Sequence, residues 1–118
     1  MTGPALKIRL VVEGGDWLGP GKADLLEAIA ETGSISAAGR RMGMSYKRAW
    51  SLVETLNAMF RSPLVSSSRG GAGHGGAALT ESGAEVLRLY RAIQSKGAEA
   101  VAGEVAALHR LSVMSAEK

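Results

Sequence analysis

The sequence predicts a mainly α-helical fold with small β elements, and three observations carry the prediction. Residues 33–60, GSISAAGRRMGMSYKRAWSLVETLNAMF, hold two serines placed to cap helices, Ser36 and Ser45, on either side of a glycine break at Gly43. Residues 64–79 hold two short strand candidates around a run of glycines. Along residues 80–111, apolar side chains recur at helical spacing. Two helices meeting at a tight turn, then a glycine-rich hairpin, then a long helix describe a winged helix-turn-helix. The expected organisation is one domain over residues 1–118: an N-terminal β-hairpin (6–18), three helices (22–60), a wing (64–79) and a long C-terminal helix (80–111) suited to dimerisation.

The chain begins its regular structure at LKIRLVVE, residues 6–13, which alternates and is rich in β-branched residues before Gly14-Gly15 and Asp16-Trp17-Leu18. A glycine turn between two such runs predicts a hairpin. Gly19-Pro20-Gly21 ends it, and a helix follows over 22–32 with Leu25, Leu26 and Ile29 on its buried face and Gly33 closing it. The GPGK run lacks the glycine and the hydroxyl residue of a phosphate loop, since Asp16 and Ala23 stand at those positions. A short helix over 37–42, started by Ser36, then gives way at Gly43 to a longer one over 46–60 started by Ser45. Gly39 is a poor helix former, which predicts close packing against the longer helix. After Pro63 come strand candidates at 64–68 and 77–79, joined by the loop RGGAGHGG. Thr80 caps the final helix, with Glu81 in its first turn, and its apolar stripe is broken around Lys96-Gly97. Residues 112–118 read as a frayed tail.

Composition narrows the function. The 118 residues suit a single domain, and no apolar run approaches the roughly 20 residues of a membrane span. With no secretory signal and no cysteine, the expectation is a cytoplasmic protein with no membrane association. Two histidines, without cysteine or a nucleophile and base pair, give no metal-ligand spacing, no cofactor site and no expected enzyme. The net charge is +3, but it is unevenly spread. Residues 34–76 carry Arg40, Arg41, Lys47, Arg48, Arg61 and Arg69 against Glu54 alone, six minus one, or +5; the eight basic and ten acidic residues elsewhere give −2. A basic module between slightly acidic helices points to a phosphate-bearing partner, double-stranded DNA.

At about 100° per residue, Ala49, Leu52, Val53, Leu56, Met59 and Phe60 share one face of the 46–60 helix and Lys47, Ser51, Glu54 and Ala58 the other. Tyr46, Arg48 and Trp50 lie on the flanks. Lys47, outward near the helix start, is the best base-reading residue, because it donates to guanine acceptors. Arg40, Arg41, Arg48 and Arg69 suit phosphates, and the wing glycines, Gly71 among them, let backbone approach DNA closely. His74, alone in that loop, is at most an auxiliary phosphate contact.

The run GSISAAGRRMGMSYKRAW, the later PLV, the GGAGHGGAALT segment and ESGAEVLRLYRAI resemble the N-terminal DNA-binding domain of ModE-type molybdate-responsive transcription regulators, over residues 6–93. LysR-type regulators, which share the GSISAA-like start and the LT-x-x-G segment, are a more distant relation. The resemblance implies a homodimer on a palindromic operator at molybdate-uptake or molybdenum-enzyme genes. It also implies that Ser45, Tyr46, Lys47 and Arg48 enter the major groove, that residues 69–76 form the wing, and that Ser36 bonds a phosphate. Relatives of this type carry a C-terminal oxyanion-binding domain, for which a chain ending at Lys118 has no room. The expectation is therefore no molybdate site in this chain, with three alternatives open: constitutive DNA binding, response through a separate effector-sensing protein, or an unknown ligand at the dimer interface. Ala72 and His74 also interrupt the glycine run. An alternative keeps the fold and gives the basic surface to a protein partner.

Overall fold

The computed structural model describes residues 6–68 and 76–112. Two β strands, β1 (Leu10–Val11) and β2 (Trp17–Leu18), form an antiparallel hairpin in which Leu10 faces Leu18 and Val11 faces Trp17. Gly14 and Gly15 make its turn at φ 99° and 98°, a region that L side chains rarely adopt. The hairpin expected over 6–18 is present but its ladder is shorter, four residues in all.

Helix α1 (Pro20–Thr32) starts two residues before the expected 22, because Pro20 sits at the first helical position, where its fixed φ suits a helix and its missing N–H costs nothing. It ends at Gly33, φ 72°, as the sequence implied. Helix α2 (Ile35–Arg41) corrects the reading of Ser36. Its cap is Ser34, at φ −152° and ψ 129°, whose Oγ accepts the Ala37 N–H at 3.0 Å. The left-handed Gly33 returns the chain to extended geometry one residue on, so the cap falls at 34 and Ser36 is already inside the first turn.

Helix α3 (Tyr46–Met59) follows, and then the antiparallel pair β3 (Val65–Ser68) and β4 (Gly76–Leu79), with Val65 opposite Leu79 and Ser68 opposite Gly76. Asn57 of α3 fixes the entry to β3: its Oδ1 accepts the N–H groups of Leu64 and Val65 at 2.8 and 2.9 Å, and its Nδ2 donates to the Val65 carbonyl at 3.1 Å. The Ala77 N–H donates to the Gly33 carbonyl at 2.9 Å, tying β4 to the turn between α1 and α2.

Helix α4 (Glu81–Ala100) is capped by Thr80, whose Oγ1 accepts the Gly83 N–H at 3.0 Å and donates to the Pro63 carbonyl at 2.7 Å. Gly83 is required here. A Cβ at this position would lie 2.0 Å from the Leu64 carbonyl oxygen. The continuous helix expected to residue 111 is interrupted, and α5 (Ala102–Leu111) is a separate segment. The break in the helix falls at Val101, φ −115° and ψ 18°. Gly97, where the apolar stripe is interrupted, serves packing, for an added Cβ would lie 2.9 Å from Ile8 Cδ1.

One core joins these elements: Leu25, Leu26 and Ile29 of α1, Ala38 of α2, Ala49, Val53 and Leu56 of α3, then Leu64, Val65 and Tyr90. The mainly α architecture with two small hairpins is the predicted one. Helix α4 is fastened to the body at adjacent residues. Tyr90 Oη donates to the Ile8 carbonyl at 2.7 Å, and Arg91 reaches Asp24 and Glu27 of α1 at 2.8 and 2.6 Å. Beyond Gly97, which packs on Ile8, the helix leaves the body, and no residue of α5 is buried. The molecule measures 61 × 28 × 23 Å.

Candidate nucleic-acid interface

The turn into α3 is built from short-range hydrogen bonds. The Gly43 N–H donates to the Arg40 carbonyl at 3.1 Å and the Met44 N–H to the Gly39 carbonyl at 2.9 Å, with Gly43 in the left-handed region at φ 72°. Gly39 is buried against α3: a Cβ there would meet Ala49 Cβ at 3.0 Å, the close crossing that the sequence suggested. Ser45 caps α3, its Oγ accepting the Arg48 N–H at 3.1 Å. The cap and the buried row of Ala49, Val53 and Leu56 fix the rotation of the helix.

That rotation sends Tyr46, Lys47, Arg48 and Ser51 outward, all exposed. Tyr46 is 59% exposed and packs edge-on against Trp50, ring centroids 6.1 Å apart. A half-buried aromatic thus supports an exposed one at the start of α3. Trp50 itself leans on the core, and its indole Nε1 is buried with no partner among the described residues.

On α2 the basic residues divide. Arg40 is exposed and donates to Ser36 Oγ at 3.0 Å, so these two expected phosphate contacts stand together on one face. Arg41 pairs with Glu31 of α1, which spends its charge on holding α2 to α1. Three of the expected contacts, Arg69, Gly71 and His74, lie outside the described residues; the strands that lead into and out of their loop are β3 and β4.

Sequence reasoning missed a second group of cations. Arg9 lies over the Trp17 ring, 3.8 Å from its centroid, and Lys22 Nζ lies 3.6 Å from the same centroid while donating to the Trp17 carbonyl at 2.9 Å. Burial holds the Lys22 ammonium below the usual lysine range; Asp16 pulls it back up, and the positive charges of Arg9 and Arg48 press it down. Charge from the hairpin and from the start of α3 therefore acts on one group of α1. These residues fall outside the basic window at 34–76, and the available signal was the pleat: Arg9 is two residues from Val11, which pairs with Trp17, so Arg9 and Trp17 are diagonal neighbours on one face.

With this geometry in hand, likeness to known proteins is informative. Residues 22–84 match the family described as bacterial regulatory helix-turn-helix protein, lysR family. The molybdenum-pterin-binding protein MopB of Rhodobacter capsulatus is 44% identical over 78 residues, 66% of this chain and 29% of that protein. The DNA-binding transcriptional dual regulator ModE of Escherichia coli K12 is 41% identical over 71 residues, 60% of this chain and 27% of that protein. The chain thus spans less than a third of the length of these curated relatives. The CbnR DNA-binding domain, solved in complex with DNA, superposes with a TM-score of 0.59 at 25% identity, covering 75% of this chain and 95% of that one. Likeness to ModE-type proteins over the N-terminal part, expected from the SYKRAW and wing segments, is present.

Proposed function

From a chain that belongs to the lysR family of bacterial regulatory helix-turn-helix proteins, we propose the DNA-binding module of a ModE-type transcription regulator, acting on duplex DNA as a homodimer. One observation carries the reading. Helix α3, capped at Ser45 and fixed by Ala49, Val53 and Leu56, holds Tyr46, Lys47, Arg48 and Ser51 exposed together at its N-terminal half. A recognition helix that enters the major groove by its N-terminal residues needs that arrangement. Lys47 reads a base edge, Arg48 and the Arg40–Ser36 pair take phosphates, and Arg69, Gly71 and His74 act from the wing.

Dimerisation is proposed for the arm. Leu89, Ile93, Leu108 and Leu111 are 46, 37, 60 and 79% exposed along α4 and α5, an apolar series left uncovered in one chain. No described helix is long and apolar enough to cross a membrane, so a second α4–α5 is the better cover. The target genes proposed are those of molybdate uptake or molybdenum enzymes, since relatives carry molybdenum in their names. The module itself holds no cofactor, catalyses nothing and works in the cytoplasm.

In vitro selection of bound DNA, with and without molybdate or tungstate, tests this. A palindrome enriched equally in both conditions is expected, and Lys47→Ala should then cost about 1 to 3 kcal/mol with relaxed preference at one base position. Failure to enrich any sequence at low salt would sink the DNA reading and favour a protein partner for the basic surface.

A further inference from the structure

The Arg9–Trp17–Lys22 group has no role in the hydrophobic core and none in reading bases from α3. Its construction is specific all the same. Stacking on Trp17 fixes the plane of the Arg9 guanidinium and leaves its in-plane N–H donors open, and among the described residues Arg9 makes no ion pair and no side-chain hydrogen bond. Lys22, only 8% exposed, is fixed by its bond to the Trp17 carbonyl. A cleft of about 290 Å³ opens beside them, lined by Lys7, Ile8, Arg9, Trp17, Pro20 and Gly21, with two of those six residues cationic and none acidic. Like charges held on the two faces of one ring repel one another, and an anion on the open side of the Arg9 guanidinium, in the cleft, offsets the repulsion. Lys22 belongs to α1, which shares one core with α3, and the charge of Arg48 in the first turn of α3 acts on it, so the cleft lies on elements next to the reader helix.

We propose that Arg9, held by Trp17 and backed by Lys22, is a second phosphate-contact site, which grips the DNA backbone flanking the groove that α3 enters. This rests on α3 being the reader, and it gives the N-terminal hairpin a role as a clamp. The contact is planar and bidentate, guanidinium to phosphate, and carries no sequence information.

Fluorescence anisotropy of wild type and Arg9→Ala, on a labelled random-sequence duplex and on the selected palindrome over a range of potassium chloride, tests it. Arg9 is exposed, so its replacement leaves the fold intact, which thermal melting checks. Arg9→Ala should lower affinity about five- to ten-fold on both duplexes and reduce the slope of log K against log salt by about 0.9 per bound protomer. Arg9→Lys should restore most of the slope but less of the affinity. Wild-type binding with an unaltered Arg9→Ala slope overturns the clamp and leaves α3 as reader. A loss confined to the palindrome makes Arg9 a base contact and overturns the phosphate assignment. Inorganic phosphate that abolishes the Arg9 dependence at matched ionic strength assigns the cleft to a free anion. Absence of wild-type binding to either duplex overturns both readings.

Discussion

Ser34 and Ser36 stand two positions apart and have separate roles. Ser34 accepts the Ala37 N–H and starts α2, whereas Ser36 accepts from Arg40 on the exposed side of the same helix. Ser34→Ala should cost about 1 kcal/mol of stability in urea denaturation, the usual loss for a removed cap. Ser36→Ala should leave stability within about 0.5 kcal/mol and show its effect in DNA affinity instead. Other caps at this scale were legible. Ser45 and Thr80 each stand directly before a helix, as their sequence context implied, and both bond the N–H three residues on. Ser34 was not legible, because the choice between 34 and 36 depends on where Gly33 releases the chain, a matter of backbone geometry. The outward aspect of Lys47 could be read from periodicity, since Ala49, Val53 and Leu56 orient the helix at 3.6 residues per turn. The Arg41–Glu31 pair could not, as it spans two helices.

Helix α4 shows how single residues fasten an element. Tyr90 is 1% exposed, and burial raises its phenol above its ordinary 10.0, with Arg91 opposing and Asp24 reinforcing the shift. A group whose folded pKa is raised adds stability fully present below the unfolded value and lost as pH climbs towards the folded one. Tyr90→Phe removes both the titration and the bond to the Ile8 carbonyl. The variant should be less stable than wild type by about 1 kcal/mol at neutral pH, and the gap should narrow above pH 10.0. Paired urea melts across that range check it; a gap that widens in alkali would remove Tyr90 as its cause. Tyr90 belonged to the apolar stripe visible in the sequence, but its partner lies 82 positions away and Asp24 lies 67 from Arg91. Periodicity reports which side of a helix faces inward, and it is silent on what waits there. For the same reason Gly83 was visible only as a glycine in a helix, while its need comes from the Leu64 carbonyl.

At the scale of the whole molecule, the body and the arm obey different rules. The body buries its apolar side chains, whereas α5 buries none, and the kink at Val101 divides an arm fastened by Tyr90 and Arg91 from one that touches little. Ending the chain after Ala100 should therefore spare the thermal stability of the body but weaken self-association by at least about ten-fold, roughly 1.4 kcal/mol. Sedimentation equilibrium measures this, and an unchanged association constant would place the dimer contact elsewhere. Affinity for a palindrome should fall with it, because two linked readers bind with a raised effective concentration. The long stripe and its excess over one small core were legible; the kink at Val101 was not, since it depends on local backbone geometry.

The protruding arm also governs how the protein moves through a solvent. The radius of gyration is 17.2 Å, against about 13 Å for a compact chain of 118 residues; a compact chain with the observed radius would need about 220. A monomer of this shape presents more friction than a compact protein of its own mass and leaves a porous gel ahead of it. Elution volume therefore overstates the mass of one copy, and only methods that weigh the particle, light scattering or sedimentation equilibrium, report how many chains travel together.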